Sequence, residues 1–263
     1  MVLVKIGGGR AVNVEGVAQD LAALGESAVL VHGANAWRDE LGDRLGVART
    51  VVTSASGYES VLTDEATMDL ILMAYAGLRN KRIVEALLRR GVPAVGLTGL
   101  DGRLVQGRRN AGIRSREGEK ILVRRDLSGK PFSANEPLLR LLLEAGYTPV
   151  LTVPIADEEG FALNTENDDV VALLQGVLRA DTVVQLIEAP GLLADREDPA
   201  SVVPRLTPAE VGRWEERAQG RFKRKLHAIS KLFAAAPARV VIADGRRDHP
   251  LRRALEGEGT VIQ

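Results

Sequence analysis

The 263-residue chain balances 35 lysine and arginine residues against 35 aspartate and glutamate residues, so its net charge gives no support for a nucleic-acid-binding protein. It contains no cysteine, which excludes disulfides, thiolate metal sites and a cysteine nucleophile, and its three histidines lack metal-ligand spacing. The sequence has no signal peptide and no apolar run long enough to span a bilayer. We therefore expect a soluble cytoplasmic protein with no resident metal and no nucleic-acid or membrane partner.

The chain opens with a short apolar run that ends in glycines. Val2 to Ile6 fits a buried strand, and Gly7-Gly8-Gly9 then lets the backbone turn sharply and approach a ligand closely. Lys5 stands at this strand end although lysine is scarce, with seven lysines against 28 arginines. A lysine beside exposed backbone N–H groups suits a phosphate. The alternative is a surface lysine that precedes a flexible turn.

Strand and helix patterns alternate along the rest of the chain. In chain order, we predict strand 2–6, helix 14–24, strand 28–32, helix 34–46, a hairpin of 51–52 with 58–62, helix 63–90, strand 92–97, an arginine-rich hairpin within 103–125, helix 134–145, strand 148–153, helix 165–178, strand 182–187, two helices within 207–235, and strand 239–243. Thr63 is the predicted N-cap of the long helix and Gly91 its stop. This alternation predicts an α/β fold with a mostly parallel open sheet between helices.

Familiar phosphate-binding motifs are absent. The chain lacks the Walker pattern, and Gly7-x-Gly9-x-x-Val12 lacks the third glycine of a dinucleotide fingerprint. The second strand ends in His32-Gly33-Ala34-Asn35 rather than in the acid that would hold a ribose. Neighbouring parallel strands deliver their carboxyl ends to one crevice. We therefore expect Gly7-Gly8 and Gly33-Ala34 to face one ligand from two sides.

Six short motifs in order resemble those of the amino-acid kinase family. They are Val4-Lys5-Ile6-Gly7-Gly8, Val31-His32-Gly33, Gly77-x-x-Asn80-Lys81, Gly96 to Gly102, Asn164-x-x-x-Asp168 and Gly220-x-x-x-x-Lys225. The branch that the chain resembles most includes acetylglutamate kinases and the kinases of aminoadipate or glutamate held on an amino-group carrier protein of the LysW type. The resemblance implies a three-layer α/β/α sandwich with two lobes. Residues 1–178 would hold the carboxylate substrate and the dimer interface, and residues 179–263 would hold ATP.

This resemblance also implies a reaction and a set of site residues. The ATP γ-phosphoryl group would pass to a side-chain carboxylate, with Mg2+ bridging the ATP phosphates. Lys5 and Lys225 would approach the phosphoryl group, N–H groups at Gly8 and Gly33 would hold its oxygens, and Asp168 would orient both lysines. The remaining implied residues contact the acceptor (Ala34, Asn35, Val61, Asn164) or the nucleotide (Gly7, Glu188, Gly191).

Several positions depart from the family pattern or have simpler readings. Ala34 replaces a glycine, so its Cβ narrows the pocket and disfavours a positive φ. Val61 stands where relatives carry an arginine that binds the substrate α-carboxylate, and valine cannot make that contact. Asp168 read alone is a helix-terminal acid, Lys223 competes with Lys225, and Asn164 also suits a turn. His32 fits a hydrogen-bonded strand-end histidine better than an acid or base.

The predicted hairpin at 103–125 carries eight basic side chains against Glu117 and Glu119. Such a local charge would attract an acidic carrier protein, and the alternative is a solvated hairpin in an arginine-rich protein. Because the sequence starts directly at the first strand, we expect a homodimer without the N-terminal helix of arginine-inhibited relatives. Three functions stay open: a carrier-linked aminoadipate or glutamate kinase, an N-acetylglutamate kinase acting on the free acid, and a non-catalytic nucleotide- or partner-binding member.

Overall fold

A computed structural model describes residues 1–53, 59–117, 120–195, 197–217 and 220–263. Side chains at 52–53, 59–60, 113–117, 120–124, 217, 220–222 and 224–225 lie outside this description, as does the predicted turn at 54–57. The strands are β1 Val2–Ile6, β2 Ala28–His32, β3 Val51–Thr53, β4 Glu59–Val61, β5 Ala94–Gly99, β6 Val105–Arg109, β7 Ile113–Glu117, β8 Lys120–Arg124, β9 Gly129–Ala134, β10 Thr148–Ala156, β11 Ala162–Leu163, β12 Thr182–Ile187, β13 Arg205–Leu206, β14 Arg239–Asp244 and β15 Thr260–Ile262. The helices are α1 Val14–Leu24, α2 Asn35–Leu45, α3 Glu65–Ile71, α4 Asn80–Leu88, α5 Glu136–Glu144, α6 Asn167–Leu178, α7 Pro208–Arg217, α8 Gly220–Ala235 and α9 Pro250–Glu256.

One large sheet runs through the described residues. Its strand order is β13-β15-β14-β12-β1-β2-β10-β6-β9, and β5 and β11 also pair with β10. Most pairings are parallel, including those of β1 with β2 and with β12, whereas β14 with β15 and β6 with β9 are antiparallel. The predicted mostly parallel α/β sheet is therefore confirmed. Because β1 pairs with β12, one sheet spans both predicted lobes, and the division at 178 stays a prediction.

The sheet buries aliphatic side chains on both faces, as alternating side chains of a central strand require. Leu3 of β1 belongs to a hydrophobic cluster that includes Val170 and Leu174 of α6 and Leu226 of α8. Val4, the next residue, packs on the opposite face with side chains of α1, α4 and α9. Lys5 follows the direction of Leu3 and therefore belongs to the face covered by α6 and α8.

The long predicted helix differs from the observed one in its start and its middle. Asp64, not Thr63, is the N-cap, because the Asp64 side chain accepts a hydrogen bond of 2.8 Å from the N–H of Thr67. Between α3 and α4 the helix adopts a π-helical stretch over Leu72–Arg79. Gly91 follows α4 with a φ of +76°, as expected of a helix stop.

The predicted arginine-rich hairpin is in fact one hairpin inserted into another. β6 pairs with β9 at the edge of the large sheet, and β7 pairs with β8 between them. The pairing of β6 with β9 joins residues 20 to 29 positions apart, so no local pattern marks it. None of the helices in the described ranges is long and apolar enough to cross a membrane.

Candidate active site

The loops after β1 and β2 lie against each other at the carboxyl ends of these two central strands. The two strands pair in parallel with Ile6 opposite His32, so the glycines that follow emerge side by side. A Cβ added to Gly8 would lie 3.0 Å from the backbone N of Asn35, and one added to Gly33 would lie 2.9 Å from the Cα of Gly8. Only glycine permits backbones to approach this closely. The structure therefore brings the two loops together, but the N–H of Gly33 donates a hydrogen bond of 3.0 Å to the carbonyl of Ile6, so the prediction that this N–H holds a phosphoryl oxygen is wrong.

Ala34 and Asn35 lead the second loop into α2. Ala34 is fully buried, and its φ of −149° suits any residue, so the strain expected of a non-glycine residue does not arise. The Oδ1 atom of Asn35 accepts a hydrogen bond from the Tyr75 hydroxyl. Burial raises the pKa of Tyr75 to about 12, so this hydroxyl stays protonated and able to donate. Sequence reasoning missed Tyr75, because only the π-helical stretch brings it to α2.

Lys5 and Asp168 form an ion pair at the carboxyl end of the central strand. The Lys5 Nζ donates a hydrogen bond to Oδ1 of Asp168, which lies in the first turn of α6. Only 12% of the Lys5 side chain and 26% of the Asp168 side chain are exposed. Asp168 is thus more than a helix-terminal acid, because it holds the one lysine of the first strand. An ammonium group held in this way near the glycine loops can bind the oxygens of a phosphoryl group.

Asn164 lies beside the segment that follows the β3–β4 hairpin. Its Nδ2 donates a hydrogen bond of 2.9 Å to Oγ1 of Thr63, and the N–H of Thr63 donates one of 2.7 Å to Oδ1 of Asp126. Val61 ends β4 two residues before Thr63 and is partly exposed. Thr63 therefore contacts Asn164 and follows Val61 by two residues, and these are two of the residues assigned to the acceptor. Next to it is a cavity of about 350 Å³ lined by Asp64, Glu65, Ala66, Arg125 and Leu127.

Glu188 and Gly191 lie after β12, on the other side of β1. The Glu188 Oε1 atom accepts a hydrogen bond of 2.6 Å from the N–H of Ala11, so its carboxylate closes over the loop after β1. A Cβ added to Gly191 would lie 2.9 Å from Oγ1 of Thr260. The same oxygen accepts a hydrogen bond from the N–H of Leu192. Glu188 thus lies against the glycine loop after β1, whereas Gly191 lies beside the start of β15.

Lys225 lies in α8, but its side chain is outside the described residues, as is that of Arg224. The helix itself packs along α6 through Leu226, Ile229 and Leu232. The choice between Lys223 and Lys225 therefore stays a prediction. What the structure establishes is that the helix carrying both lysines covers the face of the sheet to which Lys5 belongs.

His32 is buried beneath the crevice and pairs with neutral groups. Its Nε2 lies 3.1 Å from Nδ2 of Asn80, which also donates to the carbonyl of Val150. Burial lowers the pKa of His32 to about 3, and a smaller contribution comes from the positive charges of Arg79 and Lys81. His32 is therefore neutral at pH 7 and cannot serve as an acid or base, in agreement with its reading as a strand-end histidine.

A buried arginine stack next to α2 was not predicted. Arg79 is 7% exposed, and its guanidinium carbon lies 4.0 Å from the centre of the Trp37 ring, with that of Arg10 at 4.9 Å. In the described part of the chain, Nε and Nη2 of Arg79 have no hydrogen-bond acceptor. Burial, with a contribution from Arg10, lowers the pKa of Arg79 to about 10. No sequence signal distinguishes this arginine from the many exposed ones.

The basic segment 103–125 is less uniformly positive in the structure than in the sequence. Arg108 lies 3.2 Å from Glu158, and Arg109 lies 2.7 Å from Asp157. The Arg108 side chain is 76% exposed, whereas the Asp157 side chain is only 8% exposed, so Arg109 belongs to a partly buried pair. Four of the remaining basic side chains, on β7 and β8, lie outside the described residues. Among those described, Arg108 is the more accessible of the two paired arginines.

Comparison with known proteins agrees with this geometry. Residues 1–244 match the sequence model of the amino acid kinase family. The chain is 42% identical to a [LysW]-aminoadipate kinase of Thermus thermophilus and 32% identical to an acetylglutamate kinase of Methanopyrus kandleri, each comparison covering 100% of both chains. Among solved structures, an N-acetylglutamate synthase of Neisseria gonorrhoeae superposes with a TM-score of 0.79 at 22% identity. The superposition covers 99% of this chain but 58% of the synthase chain, and it supports a shared fold only.

Proposed function

The chain belongs to the amino acid kinase family, and from this premise we propose that it transfers the γ-phosphoryl group of ATP to the side-chain carboxylate of carrier-linked 2-aminoadipate or glutamate. The observation that carries the proposal is the Lys5–Asp168 pair beside the crevice formed by Gly8 and Gly33. The 42% identity to a [LysW]-aminoadipate kinase supports the choice of acceptor. The product would be an acyl phosphate, an intermediate of lysine or arginine biosynthesis.

Transfer to a carboxylate requires little acid–base chemistry, because the acceptor is already an anionic nucleophile. The difficulty is to bring two anions together and to stabilise charge on the transferring oxygens. In the proposal, Lys5 neutralises that charge and the N–H group of Gly8 holds a transferring oxygen, whereas the N–H of Gly33 is engaged by the carbonyl of Ile6. The neutral, buried His32 takes no part, and this fits a reaction that needs no general base.

The other residues have distinct proposed roles. Asp168 holds Lys5 in place, and Lys225 approaches the phosphoryl group from α8. Asn164 and Asn35 contact the acceptor, whereas Ala34 is fully buried and offers no surface to it. Val61 leaves the α-carboxylate of the acceptor without an arginine at that position. The nucleotide lies over residues Gly7, Glu188 and Gly191.

Magnesium enters the proposal as a companion of the ATP phosphates. Within the described residues, no group of three or more histidines or acids is placed to hold a metal ion. Mg2+ commonly binds through one or two carboxylates together with substrate phosphates, and an isolated acid such as Glu188 suits that mode. When bound, the ion would neutralise phosphate charge, and the protein would contribute the surrounding lysines.

The proposal extends to an acidic carrier protein that docks beside the crevice, to a homodimer and to a cytoplasmic location. Arg108 offers a test of docking, because it is exposed and its replacement leaves the Arg109–Asp157 pair intact. We expect Arg108→Glu to raise the KM for the charged carrier at low ionic strength and to leave the KM for ATP unchanged. Arg82→Glu, at a site 67% exposed on α4, is the control. An unchanged KM would exclude Arg108 from the docking surface.

One assay separates the candidate functions. ATP, Mg2+ and hydroxylamine are incubated with the protein and with either the carrier bearing 2-aminoadipate or glutamate, or free N-acetylglutamate, and hydroxamate is measured. Product that depends on the carrier supports the proposal. Product from the free acid supports an N-acetylglutamate kinase, the alternative favoured by the 32% identical relative. Absence of product from every acceptor supports a non-catalytic member, for which Val61 is the motivating departure.

A further inference from the structure

Asp169, the residue next to Asp168, joins two distant parts of the chain. Its Oδ2 accepts a hydrogen bond of 2.7 Å from Nζ of Lys130 in β9, and its Oδ1 accepts one of 2.9 Å from Nζ of Lys231 in α8. The Asp169 side chain is only 11% exposed, so both contacts are shielded from water on the carboxylate side. Lys130 comes from the predicted acceptor lobe, and Lys231 comes from the predicted nucleotide lobe.

The charge on Asp169 is stabilised by these two lysines. Burial alone would raise the pKa of Asp169, but the hydrogen bonds from Lys130 and Lys231 outweigh burial and hold the pKa below its ordinary value. The carboxylate is therefore ionised at neutral pH, with one lysine on each oxygen. This is the geometry of a charge-assisted bridge rather than of a chance surface contact.

The first turn of α6 thus gathers three lysines from three separate elements. Asp168 holds Lys5 of the central strand, and Asp169 holds Lys130 of the edge strand and Lys231 of α8. Because the two acids are consecutive in one helix, the position of Lys231 is tied to that of Lys5 through a few covalent bonds.

Lys231 lies in the same helix as Lys225. They are six positions apart, which corresponds to about 9 Å along a helix. A helix moves as a rod over this distance, so the anchor at Lys231 limits sliding and rotation of the part of α8 that carries Lys225. The apolar contacts between α6 and α8, made by side chains such as Val170 and Ile229, are not directional and do not fix that register by themselves.

From this geometry we propose that Asp169 is a positioning residue that sets α8 in register with the Lys5–Asp168 pair. The proposal rests on the proposed kinase function for its kinetic consequence, but the register of α8 exists independently of activity. A displacement of about 1 Å at a phosphoryl-transfer site lowers the rate by as much as a hundredfold. We therefore expect loss of the bridge to lower kcat more than it raises either KM.

The kinetic test compares Asp169→Asn, Lys231→Met, the double variant and Asp169→Glu with wild type in the hydroxamate assay. We expect each single variant to lower kcat about tenfold or more, with the KM for ATP changed less than threefold. The double variant should be no worse than the single variants, and Asp169→Glu should recover part of kcat. Glu136→Gln, which removes a surface pair with Arg140 on α5, is the control and should leave kcat unchanged. A kcat within twofold of wild type in Asp169→Asn, or multiplicative losses in the double variant, would overturn the proposal.

A second measurement does not depend on catalysis. Because the chain lacks cysteine, spin labels can be placed at Phe132→Cys in β9 and Ala234→Cys in α8, both exposed positions on either side of the bridge. We expect the electron–electron distance distribution to broaden or shift when Asp169→Asn is added. An unchanged distance distribution would overturn the positioning role of Asp169, whether or not the protein makes hydroxamate. If wild type made no hydroxamate while the distribution still changed, the kinase function would fail and the register role would stand.

Discussion

Replacement of Gly33 by alanine should separate the two glycine loops. The added Cβ would lie 2.9 Å from the Cα of Gly8 and 3.0 Å from its N, and both are backbone atoms that cannot rotate away. Ordinary contact between such atoms begins at about 3.4 Å, so one loop must shift by roughly 0.5 Å. The loop after β1 carries the Gly8 N–H, which we propose to hold a transferring oxygen. Loss of one such donor lowers a rate by about 100- to 1,000-fold, which corresponds to about 3 to 4 kcal/mol in the barrier.

The assay for this prediction is hydroxamate formation by Gly33→Ala, with kcat and both KM values measured beside thermal unfolding. Gly176→Ala is the matched control, because Gly176 lies within α6 and its added Cβ meets the Cβ of Ala235 at an ordinary 3.5 Å. The control should retain kcat and gain about 0.5 to 1 kcal/mol in stability from its helical position. If Gly33→Ala kept kcat within threefold of wild type while folding normally, the two loops could not be the phosphoryl-binding crevice.

Three further predictions address charge. Lys5→Met should lower kcat by about a hundredfold or more with a smaller change in the KM for ATP. Lys81→Met is its control, because Nζ of Lys81 donates a hydrogen bond to the carbonyl of Gly96, and equal losses would contradict the assignment of Lys5. The pKa of His32 is lowered from 6.5 to about 3 in the folded protein. Below pH 6.5 the unfolded chain therefore binds a proton at His32 that the folded protein does not bind, and the free energy of unfolding falls as the pH drops. Urea unfolding at pH 7 and pH 5 should therefore show wild type losing about 2 kcal/mol more than His32→Gln, and parallel losses would refute that burial effect. The lowered pKa of Arg79 implies about 3 kcal/mol of unfavourable burial, offset by about 1 to 2 kcal/mol from Trp37, so Arg79→Met should leave the free energy of unfolding unchanged or raise it by about 1 kcal/mol. A loss above 2 kcal/mol in urea unfolding would show that the cation stabilises the fold.

The framework of the site follows from local sequence signals. The apolar run that ends at Gly7 predicted a buried first strand, and the run that ends at Gly33 predicted its neighbour, because parallel strands bring their carboxyl ends together. The motif spacing from Asn164 to Asp168 placed an acid at the start of α6, where it reaches Lys5. These features depend on short segments and on a general rule of parallel sheets.

The features that the sequence did not reveal depend on distant pairings. The contact of Tyr75 with Asn35 requires a π-helical stretch, for which residues 72–79 give no distinctive pattern. Asp64 competes with Thr63 as the N-cap, and only the hydrogen bond from Nδ2 of Asn164 to Oγ1 of Thr63 shows that the threonine side chain is occupied elsewhere. The bridge at Asp169 likewise needs the positions of β9 and α8, which are far apart along the chain.

The central position of β1 restricts how this protein can move during a turnover. β1 is hydrogen-bonded along its whole length to β2 on one side and to β12 on the other. A motion that separated the sheet on either side of β1 would have to break the backbone hydrogen bonds of one of these pairings, so such a motion is disfavoured. We therefore expect the strand that carries Lys5 to stay fixed, and we expect the motions that admit substrates to occur in the helices and loops next to it.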